Sequence, residues 1–65
     1  MSDIVRLFWY LSASQRRKIC KDLGILPEDE SLTETQRYEL AFKNAKDADK
    51  VDKLVAEIQK AAGIV

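Results

Sequence analysis

Arg16, Arg17 and Lys18, with Lys21 one helical turn on, are the residues of this 65-residue chain whose type and spacing point most directly to chemistry, and that chemistry is ionic recognition. An arginine guanidinium is a planar fork that takes a carboxylate through two parallel hydrogen bonds, and lysine adds a compact point charge. The matching feature follows in the chain as Glu28, Asp29 and Glu30. Residues 1–26 hold five basic and two acidic side chains, whereas residues 27–36 hold four acidic and none basic. One face is therefore expected to be basic and another acidic. If the basic patch of one copy meets the acidic bend of another, the contact is heterologous and copies add head to tail. The plainer role for such a run is a solvated helix face, the usual place for charge.

Trp9 and Tyr10 are the next candidates. Adjacent positions on a helix point about 100° apart, so both rings face a core only at its edge. An exposed aromatic there is a binding anchor, and Trp9 is taken as the candidate. Cys20 falls on an apolar stripe, and no histidine is present to activate it, so a buried structural thiol is expected. A single cysteine forms no internal disulfide and points to a reducing, cytoplasmic setting. The absence of histidine removes the commonest general base and the usual zinc sets. Glu28, Asp29 and Glu30 lack the spaced oxygens and central glycine of a calcium loop, and the chain has no glycine-rich phosphate loop. No catalytic residue, metal, cofactor or small-molecule substrate is expected, and the chain is not read as an enzyme. Eleven basic and eleven acidic side chains give zero net charge, which weighs against nucleic-acid binding. No apolar run approaches a membrane span.

Four helical segments position these groups. The first spans about 3–11, started by Ser2 or Asp3, with Ile4, Leu7, Phe8 and Leu11 on one stripe. Ser12 with Gln15 forms a capping box for a second helix over 13–23. Ala13, Ile19, Cys20 and Leu23 face inward, and Gly24 ends the helix with Ile25 packed back on Cys20. Pro27 discourages helix at Leu26, and a single helical turn over 27–31 would make a fifth element. Ser31 with Glu34, or Thr33 with Gln36, caps a third helix over 34–46, whose inward stripe is Tyr38, Ala41, Phe42 and Ala45. Asp47 or Asp49 starts the fourth, with Val51, Leu54, Val55, Ile58, Ala61 and Ala62 inward. A chain this short buries only about 60% of its unfolded surface, so each large apolar side chain counts. The expected architecture is one all-α domain over 1–65, a bundle of four to five helices.

The order of these signals resembles a known family. Phe8, the Leu11-Ser12 corner, Arg16-Arg17, Ile19, Leu23-Gly24-Ile25-Leu26, the acidic Glu28-Asp29-Glu30, Phe42, Ala45-Lys46, Leu54 and Ile58 are similar to bacterial effector-associated and GTPase-associated adaptor domains. These are grouped with death-like domains. The resemblance covers about residues 4–60. It implies a death-like fold and recruitment in a bacterial conflict or signalling system, through pairing with another effector-associated or death-like domain. Such a module sits at the end of a longer protein. Arg16, Arg17, Lys18, Lys21, Glu28, Asp29, Glu30 and Trp9 are the expected protein-binding residues. The alternative is a helix–turn–helix type of nucleic-acid-binding domain with the second or third helix in the major groove, and the acidic connection would repel phosphate there.

Overall fold

The protein is described here from a computed structural model, which places residues 3–63. Helices α1 (Asp3–Tyr10), α2 (Ala13–Asp22), α3 (Glu34–Asp47) and α4 (Val51–Ala61) account for all of the regular structure among them. α4 packs against each of the other three. The start expected at Ser2 lies outside the described residues. Asp3 is the first helical residue of α1, not its cap, and its carboxylate suits the positive end of the helix dipole.

Each boundary has a local cause. The Ser12 hydroxyl accepts from the Gln15 amide, and the Gln15 side chain returns the bond to the Ser12 amide, which closes the expected box. Of the two boxes that compete for α3, Thr33 with Gln36 forms in both directions. Ser31 is drawn away instead, because its amide and hydroxyl both donate to Asp29 Oδ1 at 2.9 and 2.6 Å. That local bond also replaces the helical turn contemplated over 27–31, where the chain makes a turn closed by the Leu32 amide on the Asp29 carbonyl. The bundle therefore has four helices among the described residues.

α2 and α3 end alike. At α2, Gly24 takes φ +70°, its amide donates to Lys21 O, and the Ile25 amide reaches back to Cys20 O. At α3, Asp49 takes φ +56°, its amide donates to Lys46 O, and the Lys50 amide donates to Ala45 O at 2.7 Å. Both are two-bond stops that need one residue in the left-handed region. The second puts an aspartate where glycine is favoured, so neither Asp47 nor Asp49 caps α4. Its N-cap is Lys50, which makes no side-chain capping bond.

The core is Phe8, Leu11, Ile19, Cys20, Ile25, Tyr38, Ala41, Ala45, Leu54 and Ile58. Phe8 stands at its centre, edge-on to Tyr38 and Phe42 at ring separations of 5.2 and 4.9 Å, a favoured aromatic geometry. Two residues expected inward are exposed: Ala13, and Val51 at 43%. Each is the first residue of its helix. Helical side chains lean toward the N-terminus and cover the preceding turn, so a first residue leans past the helix end into water.

Candidate functional site: a charged trough beside α2

The basic run does not form one patch, because successive helical positions rotate by about 100°. Arg16 lies three, four and seven residues before Ile19, Cys20 and Leu23, so it shares their inward stripe. It is half-buried, and its Nη1 donates to Leu11 O at 2.6 Å and to Trp9 O at 3.2 Å. These carbonyls belong to the end of α1, where helical partners run out. α1 has no basic residue in its own last turn, so the cation that its dipole favours comes from α2. The same guanidinium lies over the Trp9 ring at 4.9 Å and the Tyr38 ring at 5.7 Å, close enough for cation–π attraction. Arg16 Nε and Tyr38 Oη are buried beside this corner without hydrogen-bond partners among the described residues.

Trp9 is only just exposed, at 37%, and its edge packs on Phe8 and Tyr38. Tyr10 is the freer ring, at 83%. Lys18 turns to the opposite flank of α2. It pairs with Asp22 at 3.0 Å, and both border a depression shared with Glu57 and Lys60 of α4.

Arg17 and Lys21 face the connection between α2 and α3. With Glu28, Glu30 and Arg37 they line an open trough of about 530 Å³ floored by Gly24, Leu26 and Pro27. The expectation of a basic face and a separate acidic face is corrected here: the two signs border the same hollow. The connection that contains Pro27 and the Asp29–Leu32 turn brings Glu28 and Glu30 to the flank of α2 that carries Arg17 and Lys21. Asp29 is absent from the lining. Its bonds from the Ser31 hydroxyl and amide hold its carboxyl below the ordinary range. Among the described residues, no ion pair within 4 Å joins Arg17 or Lys21 to Glu28 or Glu30. Arg37 is nearly buried and donates to Glu34 at 3.1 Å.

The trough is held open from behind. Asn44 Nδ2 donates to Ile25 O at 3.0 Å, and Lys50 Nζ donates to Leu23 O at 2.7 Å. Asn44 and Lys50 thus anchor the end of α2 and the start of the connection across 19 and 27 residues of chain. Neither was a candidate from the sequence, nor was Arg37. Asn44 had one available signal: it precedes Ala45, beside the inward stripe of α3.

Cys20 is 1% exposed, and burial pushes its thiol up to about 11. A thiol held in the neutral form packs as a small hydrophobe, as expected of this position. Among the described residues no cluster of three or more His, Cys, Asp or Glu is arranged to hold a metal ion, and no helix is long and apolar enough to cross a membrane.

The described residues form a four-helix domain with an open, mixed-charge hollow on its surface. The sequence pattern of the GTPase-associated adaptor domain matches residues 1–60, and the chain belongs to that family. No curated protein and no solved structure matches it. Family membership supplies the adaptor role, and with it association with a protein partner.

Proposed function

We propose that the chain is a recruitment module, with a death-like helical fold, that docks on another effector-associated or death-like domain and so couples a GTPase or sensor to an effector in a bacterial conflict or signalling system. On this reading it works in the cytoplasm, as the terminal part of a longer protein, and performs no catalysis of its own. The observation that carries the reading is the trough, where four exposed charges of both signs line one hollow and, among the described residues, no ion pair joins them. Unpaired exposed charges of this kind steer encounter and select a partner whose charges run the opposite way. On this reading Arg17, Lys21, Glu28 and Glu30 do the binding, while Trp9 packs at the corner of α1 and α2 and does not line the trough. Arg16 and Asp29 serve the chain's own corners, and Lys18 faces away.

The test is a pull-down against a panel of other GTPase-associated adaptor domains, at fixed salt. Arg17→Glu with Lys21→Glu is expected to weaken capture by about tenfold or more, and raised salt is expected to weaken the wild type in the same direction. Undiminished capture by the reversed variant overturns the reading. So does a tight, salt-sensitive complex with duplex DNA.

A further inference from the structure

We infer that the trough receives α3 of a second copy of this chain, through Leu40, Lys43 and Asp47. The inference rests on the reading of the trough as the docking surface and adds its occupant.

The trough presents two cations from α2 and two carboxylates from the connection, with apolar Leu26 and Pro27 between them. Its complement is a helix face bearing one anion and one cation a turn apart, with an apolar residue alongside. Leu40, Lys43 and Asp47 stand at i, i+3 and i+7 on α3, which places them on one stripe. Lys43 Nζ and Asp47 Oδ2 are 2.9 Å apart and both side chains are well exposed. Leu40 is one of the few large apolar residues left in water, at 38% exposure. Seated in the trough, Asp47 faces Arg17 and Lys21, Lys43 faces Glu28 and Glu30, and Leu40 covers Leu26 and Pro27.

Three features favour this occupant. Asp47 is the last helical residue of α3, at the negative end of that dipole, so it gains from partner cations. Arg17 and Lys21 are like charges at i and i+4, an arrangement that costs stability until an anion sits between them. The other exposed ion pair of this type, Lys18 with Asp22, already borders a hollow supplied with Glu57 and Lys60 by α4. The α3 stripe and the trough are different surfaces, so the contact is heterologous and extends from copy to copy.

The experiment is sedimentation of the 65-residue chain over a concentration series, with circular dichroism of each variant as a check on folding. One variant reverses the helix pair (Lys43→Glu with Asp47→Lys), which keeps its internal ion pair. The other reverses the trough (Arg17→Glu, Lys21→Glu, Glu28→Lys and Glu30→Lys), with Arg17→Glu/Lys21→Glu as the milder form if the fourfold change does not fold. The wild type is expected to self-associate in a salt-sensitive way. Each variant alone is expected to lose this by about tenfold or more, and an equimolar mixture of the two reversed chains is expected to regain it. Loss in the trough variant but not in the α3 variant overturns the assignment of α3 and leaves the docking surface standing. A monomeric wild type overturns the second copy as occupant, while capture of another GTPase-associated adaptor domain still tests the trough. Self-association unchanged by either reversal overturns both.

Discussion

At the corner between α1 and α2, the Arg16 guanidinium is engaged by two carbonyls through Nη1 and lies over two aromatic rings. One residue later, Arg17 borders a hollow where, among the described residues, no carboxylate pairs with it, although two line the same space. The residue type is the same, and so is the helix. What differs is the 100° step that turns one guanidinium inward and the other to water. An arginine engaged inside a domain supports the fold, and an arginine left open is available to a partner. The corner and the trough thus divide stability from recognition within a single charged run.

That division is broken most directly by removing the two arginines in turn. Arg16→Ala is expected to cost about 2–3 kcal/mol, from charge-assisted bonds to α1 and the stacked rings. Arg17→Ala is expected to leave stability within about 0.5 kcal/mol and to weaken only association. Urea denaturation of both variants checks this, and equal losses would erase the distinction.

A second break acts beneath the corner through pH. Burial raises the Cys20 thiol from 9.0 to about 11. The Tyr38 hydroxyl is also raised, first by burial and then by the neighbouring negative charge of Glu34 and Cys20. In the unfolded chain the thiol ionises near its ordinary value, so stability is intact below about pH 9 and falls as the pH climbs toward 11. At about 1.4 kcal/mol per pKa unit the loss approaches about 2 kcal/mol at pH 11. Thermal melts across this window are expected to show it, with a smaller slope in Cys20→Ala.

The smallest effect sharpens the comparison on the trough side. A Cβ on Gly24 would lie 3.6 Å from Lys50 Nζ, an ordinary contact, so Gly24→Ala is penalised by its left-handed backbone alone. About 1 kcal/mol is expected. Asp49→Gly, at the equivalent place in α3, is expected to gain about 0.5 kcal/mol. Denaturation midpoints of the pair test whether the two helix stops are equivalent.

Much of the fold is legible because its signals are short-range. Ser12 and Gln15 make their box across three residues, and Gly24 and Ile25 close α2 on Lys21 and Cys20. The apolar stripes identify nearly all of the core, failing only at Ala13 and Val51, where a helix has no preceding turn to cover. Other outcomes depended on local competition. Ser31 is as good a cap as Thr33 by type, and Asp29 decides between them by claiming it. Of the charged candidates, Arg17, Lys21, Glu28 and Glu30 border the trough, whereas Arg16, Lys18 and Asp29 lie elsewhere and Arg37, which also lines it, was not a candidate.

Taken alone, the sequence determined the four helical segments, the Ser12–Gln15 cap and the aromatic and aliphatic core, because periodicity and capping act within one or two turns. Tertiary structure alone decided that Arg16 serves α1, that Asp49 takes a glycine's conformation and that Glu28 and Glu30 meet Arg17 and Lys21 at one hollow. The physical reason is range. Asn44 and Lys50 hold the floor of that hollow through carbonyls 19 and 27 residues away, and no local pattern encodes such a bond.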